Sequence, residues 1–229
     1  MELKLTTTAA TLLEADSLVA FCFADGSTVP VLTDAATSLV AEARASGEYD
    51  PKPLETLLIH RPDGFAARRL LLVGAGEREK LTPELARRIA GAAIRTLKPL
   101  KFRQVAFSLD GLLLESAFVE AIAEGALLAD FETDRLKTDE KLREKHIDTV
   151  LISVPTATPE IDAAFGKGLI VAGAQNFTRH LVNEPSNLMT PPKLAEHARA
   201  LAAEHGLKLD ILDEPRLKQL GCGALLGVA

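Results

Sequence analysis

Short apolar runs and amphipathic stretches take turns along most of this chain, and that alternation restricts its fold more than any other feature. Leu18 to Phe23, Leu54 to His60, Arg69 to Val73, Gln104 to Leu109 and Thr149 to Val154 are apolar runs bounded by turn residues. Runs that are apolar on both faces suit strands covered on both sides, the situation in a partly parallel sheet. Met1 to Thr7 alternates in polarity and reads as an edge strand. The stretches between are helical. From Pro83 to Leu97, Leu85, Ile89, Ala93 and Leu97 fall at spacing four, with Arg87, Arg88, Arg95 and Lys98 on other faces. From Leu112 to Leu128, Leu114, Phe118, Ala121, Ile122, Gly125 and Leu128 form one face, and Glu115, Glu120 and Glu124 are expected to turn away. Amphipathic helices between buried strands predict an α/β layered domain: a mixed sheet flanked by helices.

Three helix starts carry one signature: Thr82-Pro83, Thr158-Pro159 and Thr190-Pro191. The hydroxyl accepts an orphan amide of the first turn, and the proline lacks an amide that would have no partner there. A long helical pattern opens at Thr158 and runs through Ile161, Phe165, Leu169 and Ala172 to about Asn183, long enough to link two domains. Pro185 stops it and Thr190-Pro191 restarts it, while Asn183 and Asn187 suit the turn between. The tail reads as a helix (Pro191 to His205), a turn at Gly206, a strand (Leu207 to Leu212), a short helix (Pro215 to Leu220) and GCGALLGVA. That is the start of a second α/β unit, expected to be incomplete and the chain therefore truncated. Glu132 to Asp148, with eleven charged residues of seventeen, reads as a solvated connector or exposed helix.

The core is expected to be aliphatic, since the 229 residues include no Trp, one Tyr and nine Phe. A net charge of −6 makes phosphate backbones unfavourable partners. The two cysteines, Cys22 and Cys222, sit in apolar surroundings 200 residues apart and are expected to be reduced packing residues. The N-terminus has no basic start followed by an apolar run, so no signal peptide is expected, and no apolar run reaches the ~18 residues of a membrane span. A cytoplasmic location follows as the expectation.

Candidate chemistry is sparse. Gly74-Ala75-Gly76 between strand and helix looks like the opening of a phosphate loop, but Glu79 stands where a third glycine belongs. Glu77 and Glu79 also place negative charge where a pyrophosphate would sit. The competing reading is a tight turn that needs glycine's backbone freedom. Asp130, Glu132 and Asp134 alternate like a calcium loop, but Arg135 replaces its glycine and no closing Glu follows. His60, His146, His180, His197 and His205 show no zinc-ligand spacing; His197 and His205, eight apart on a helix, are roughly 12 Å apart. Ser186 has no base beside it in sequence. On these grounds no catalytic, cofactor-binding or metal-binding residue is assigned.

The segment Arg179 to Ala198, RHLVNEPSNLMTPPKLAEHA, resembles the domain junction of the leucyl aminopeptidases, the cytosol aminopeptidases of the M17 family. Members share a pattern AR-x-L-x-N-x-P-x-N-x-x-TP-x-x-LA. RLLLVGAGEREKLTPELARRIAGAAIRTLK (Arg69 to Lys98) is similar to a strand–helix unit of that family. AEGALLADFETDRLKT (Ala123 to Thr138) resembles its AEGxxLxxYxFxxYK, with Phe131 and Thr133 as departures. GCGALLGVA (Gly221 to Ala229) resembles GMGALLGVG, departing at Cys222 and Ala229.

The resemblance implies a macro-domain-like N-terminal module over 1–155, a linker helix and junction over 156–189, and the first part of a metallopeptidase domain over 190–229. It implies a parent enzyme that releases N-terminal residues from peptides. Two divalent ions (zinc, manganese or magnesium), held by Asp, Glu and Lys, would activate water and anchor the substrate amine. It also implies a homo-hexamer. The motifs that carry those ligands in the family, of the kinds KGITFDSGG and NTDAEGRL, have no counterpart in residues 1–229, so the catalytic centre is expected outside them and this chain is expected to be inactive. The alternative expectation is a free-standing macro-like module binding ADP-ribose or a related nucleotide.

Overall fold

The computed structural model describes residues 1–132 and 146–228. Most of the charged connector, and Asp134 of the calcium-like triplet, therefore lie outside the described residues. Backbone contacts divide the chain into two units, Met1–Phe177 and Thr178–Ala229.

The first unit is built on a seven-stranded sheet. Its strands are β1 (Glu2–Thr6), β2 (Ser17–Phe23), β3 (Thr28–Val29), β4 (Thr56–His60), β5 (Arg69–Gly76), β6 (Gln104–Ser108) and β7 (Thr149–Ser153). The order is β1-β7-β6-β2-β5-β4, with β3 paired to β2. β1–β7, β7–β6, β6–β2 and β2–β5 are parallel, whereas β4 runs antiparallel to β5 and β3 to β2. The mixed sheet expected from the apolar runs is thus present, with β1 at one edge and all seven residues of β2 buried at its centre.

Alternate residues of the central strands feed two cores, as the period of two requires. Val19, Phe21, Phe23, Leu71, Val73, Val105, Phe107, Val150 and Ile152 face one side. There they meet α2 (Pro83–Leu97), α3 (Ser116–Asp130) and the start of α4 (Pro159–Asn183) through Ile89, Ile94, Leu97, Phe118, Ile122 and Ile161. Leu18, Ala20, Cys22, Leu70 and Leu72 face the other side and meet α1 (Asp34–Ser46) through Ala36, Val40 and Ala43. Each fully buried Leu, Ile or Phe contributes about 1.5–3 kcal/mol, so this double-sided sheet dominates the unit's stability.

The Thr–Pro starts hold in position. Thr82 Oγ1 accepts from the Leu85 amide at 3.2 Å and Thr158 Oγ1 from Ile161 at 3.3 Å. Thr190 differs: α5 (Pro191–His205) begins after it, but its hydroxyl makes no cap bond.

In the first unit one helix lies outside the sequence reading and one expectation fails. Helix α1 is capped by Thr33 and closed by the left-handed Gly47. Glu124 does not turn outward; it is buried at 6% exposure, because Arg87 of the neighbouring helix reaches it with Nη1 at 3.1 Å from Oε2.

The second unit contains the end of α4, then α5, α6 (Glu214–Gln219) and α7 (Gly223–Leu226). Gly206, with φ 64°, ends α5 as a left-handed cap. The strand expected over Leu207 to Leu212 is absent: those residues take no regular structure. The pattern LKLDIL suits a strand, but a strand exists only when a neighbour pairs with it, and among the described residues none does. None of α5, α6 or α7 has a buried residue.

Candidate functional site

Open parallel sheets place ligands outside the carboxyl ends of their strands, so that rim is the first place to look. The Gly74–Gly76 turn belongs to it, but its own chain fills it. Gly74 N–H donates to the Glu55 carbonyl at 2.7 Å and Gly76 N–H to the Pro51 carbonyl at 2.9 Å. A Cβ on Gly74 would lie 2.0 Å from the Lys52 carbonyl oxygen, and Gly76 has φ +70°. The glycines are needed for close backbone approach and a left-handed turn, and these two amides are already engaged, leaving neither for a phosphate.

Farther along the rim, a cleft of about 570 Å³ opens between the first turns of α3 and α4. Leu114, Ser116, Thr156 and Thr158 line it, together with Glu115 and Glu160. Ser116 Oγ donates to Glu160 Oε1 at 3.1 Å, so a carboxylate already occupies the positive end of α3. Two carboxylates make this cleft unfavourable for an anion. Asp110, at the end of β6, has its carboxyl pushed above the usual range by burial.

A smaller groove of about 260 Å³ lies between α2 and α3, lined by Glu84, Arg87, Glu120 and Glu124. Arg87 bridges Glu84 and Glu124, and Lys167 of α4 reaches Glu120 at 2.8 Å. These groups neutralise one another and pin α2, α3 and α4 together. Sequence reading missed Arg87–Glu124 because the partners are 37 residues apart. Asp130 and Glu132 of the calcium-like triplet are likewise engaged: the buried Lys98 ammonium lies 3.1 Å from Asp130 Oδ1 and 3.0 Å from Glu132 Oε1.

The histidines are dispersed. His60 is exposed on β4; His146 lies 2.9 Å from Asp148, His180 3.5 Å from Glu184 and His205 3.9 Å from Glu204; His197 is half-buried on α5. Both cysteines are free, Cys22 buried and Cys222 half-buried, and burial pushes the Cys22 thiol up despite the phenol of Tyr49 beside it. Ser186 is exposed in the junction turn. There, Asn183 Nδ2 donates to the Arg179 carbonyl at 2.6 Å, folding the side chain back along the last turn of α4. Among the described residues no group of three or more His, Cys, Asp or Glu side chains is placed to hold a metal ion, and no helix is long and apolar enough to cross a membrane. In the second unit a groove of about 700 Å³ lies between α5 and the stretch running through Ile211 and Leu212 into α6.

Comparison with known proteins supplies what the geometry lacks. The family model "Cytosol aminopeptidase family, N-terminal domain" matches residues 20–140, and "Cytosol aminopeptidase family, catalytic domain" matches residues 176–229. A probable cytosol aminopeptidase from Solibacter usitatus is 46% identical over 185 residues, which is 81% of this chain and 38% of the relative. One from Koribacter versatilis is 32% identical over all of this chain and 49% of its own length. The chain therefore spans less than half the length of these relatives.

Among solved structures, a tomato leucine aminopeptidase mutant superposes with a TM-score of 0.78 at 23% identity over 96% of this chain and 46% of the other, a likeness of fold. The bottromycin maturation enzyme BotP in complex with Mn gives 0.68 at 27% identity, over 90% of this chain and 40% of the other. With two family models matching in series, the first over more than half of the residues, this chain belongs to the cytosol aminopeptidase family.

Proposed function

We propose that this chain is the N-terminal portion of a two-metal leucyl aminopeptidase that releases N-terminal residues from peptides. The observation that carries the reading is the order of the two family matches, N-terminal domain over 20–140 and catalytic domain over 176–229. The division of labour we propose is a macro-like α/β domain over 1–155, a linker helix and junction over 156–189, and the opening of the catalytic domain over 190–229. The catalytic and metal-binding groups of the parent lie outside residues 1–229, so this chain by itself does not hydrolyse peptides.

The parent's chemistry would use two divalent ions, manganese, zinc or magnesium, to polarise the scissile carbonyl and activate water. The described residues present no group suited to such a pair, so no step of that reaction is assigned to them. Their role is architectural: the packed sheet holds the start of α4, and α4 runs on through Asn183 to the junction before α5. Peptides are the parent's substrates, the cytoplasm its location and a homo-hexamer its assembly.

The test is an assay of leucine anilide hydrolysis with added manganese, on a preparation whose mass is confirmed as the 229-residue chain. The expected result is no turnover above the metal-only control. Robust turnover would place the catalytic groups inside residues 1–229 and overturn this reading.

A further inference from the structure

We propose that Asp110 and Gly111, at the carboxyl end of β6, form a self-modifying site: the pair closes to a succinimide and reopens as isoaspartate, faster than the other Asp-Gly pairs of this chain. The proposal goes beyond the peptidase reading and does not depend on it. The sequence contains three such pairs, at residues 25 and 26, 63 and 64, and 110 and 111. Glycine presents its amide nitrogen with no Cβ to hinder the approach, so all three share the intrinsic capacity for the reaction. The folded surroundings separate them.

In the first step the Gly111 nitrogen attacks Cγ of the neutral Asp110 carboxyl. A C–N bond forms, the Cγ–OH bond breaks, and the amide proton leaves with that hydroxyl as water. Water then opens the ring. Attack at Cγ restores aspartate; attack at the main-chain carbonyl leaves the backbone running through the side-chain carboxyl, which is isoaspartate. The two steps sum to an isomerisation, and water is the only co-reactant. Two conditions favour closure: a carboxyl held in its neutral form, since a carboxylate has no hydroxyl to expel, and a glycine amide not already engaged.

Asp110 meets the first condition. Its Oδ1 is sealed from solvent and, among the described residues, has no hydrogen-bond partner. Burial pushes its carboxyl above the usual range, because a desolvated carboxyl without a donor discharges. The second condition follows from position. Gly111 opens the 3-10 turn Gly111–Leu114, and the first amides of a helical turn have no partner inside it. Asp110 makes no side-chain cap bond to that turn, so its carboxyl is not tied away from its neighbour.

The other pairs are restrained. Ser27 donates both its hydroxyl and its amide to Asp25 Oδ1, which holds that carboxyl below the usual range. The Gly26 amide donates to the Phe23 carbonyl at 2.9 Å. Asp63 stands in water, the solvent that favours the unreactive charged form. Thr33 also clamps its loop: Oγ1 donates to the Asp63 carbonyl at 2.8 Å, and the methyl group lies 2.6 Å from where a Cβ on Gly64 would be. Isoaspartate at 110 adds a methylene to the main chain between two anchors. These are the Leu109 amide on the Ser153 carbonyl at 2.8 Å and the Leu113 amide on the Asp110 carbonyl at 3.2 Å. The approach to α3 therefore loosens as the chain ages.

The experiment incubates the 229-residue chain at neutral pH in heavy-oxygen water, digests it and reads each Asp-Gly peptide by mass spectrometry. Every succinimide that reopens retains one heavy oxygen, and electron-transfer fragmentation separates aspartate from isoaspartate. Each unit by which burial raises a carboxyl pKa multiplies its neutral fraction about tenfold, so label at Asp110 is expected to exceed that at Asp25 by roughly tenfold or more. In urea the three pairs should label at similar rates. Asp110→Glu, whose longer side chain closes a ring poorly, abolishes label there. Ser27→Ala removes one of the two donors to Asp25 and raises label at that pair, leaving Asp110 unchanged. The proposal is overturned if Asp25 or Asp63 labels as fast as Asp110 in the folded chain. It is equally overturned if the lead of Asp110 persists undiminished in urea, which would make it a property of local sequence and not of the fold.

Discussion

Gly125 sits where α3 crosses α2, and replacing it with alanine tests the packing of the first unit directly. A Cβ built there lies 2.1 Å from the Arg87 carbonyl oxygen and 3.1 Å from the Ala90 Cβ. A comfortable carbon–oxygen contact is about 3.3 Å, so the helices must part by roughly 1 Å. Overpacking of this kind costs about 1–3 kcal/mol. The better helix propensity of alanine returns up to about 1 kcal/mol. The net expectation for Gly125→Ala is a loss of about 1–2 kcal/mol, or a fall in Tm of roughly 2–8 °C for a chain of this size. The matched control is Gly173→Ala on α4, where the new Cβ meets nothing within 4 Å. It receives the propensity gain without the clash and should raise Tm by roughly 2–4 °C. Thermal melts followed by circular dichroism read both. A Gly125→Ala protein as stable as the parent, or one that shifts with the same sign as Gly173→Ala, would refute the reasoning.

Arg87→Met should destabilise by about 2 kcal/mol in urea titration, because it strands the Glu124 carboxylate in the α2–α3 interface; Glu124→Gln should cost less, since the amide still pairs with Arg87. Leu72→Ala, at a position with no exposure, should cost about 2–5 kcal/mol by the same measurement. Burial raises both the Cys22 thiol and the Tyr49 phenol. A raised folded pKa contributes stability that is complete below the unfolded value and fades above it. The chain should therefore lose stability as pH rises past about 8.5, and a Cys22→Ala, Tyr49→Phe double variant should lose less. Equal pH slopes for the two proteins would count against this. Native alkylation should label Cys222 and spare Cys22 until the chain is denatured, read by peptide mass.

The elements legible in the sequence are those whose signals are local. β2, β5, β6 and β7 are read from continuous apolar runs because both faces of the sheet are covered. Thr82-Pro83 and Thr158-Pro159 mark helices because the cap bond spans three residues. Helix α1 gives a weak sequence signal although Thr33 and Gly47 bracket it; its buried face is mostly alanine, Ala36 and Ala43 around Val40, which gives little polarity contrast. Charge alone predicts an outward Glu124, and its partner Arg87 is distant in sequence. The Gly74–Gly76 turn looked like half of a phosphate loop because no local pattern shows that residues 51–55 fold over it. The alternation of Leu207 to Leu212 predicts a strand, but alternation says nothing of whether a partner strand is present. Family membership, by contrast, was legible from the junction at Arg179 to Ala198 and from GCGALLGVA, where short motifs keep their spacing.

The central claim is that the groups which bind the family's metal pair lie outside residues 1–229. Elemental analysis of the purified chain, with its mass confirmed and after equilibration with manganese or zinc and removal of loosely held ions, tests it most directly. Well under one tightly held divalent ion per chain is predicted; about two per chain, the stoichiometry of a two-metal site, would contradict the account.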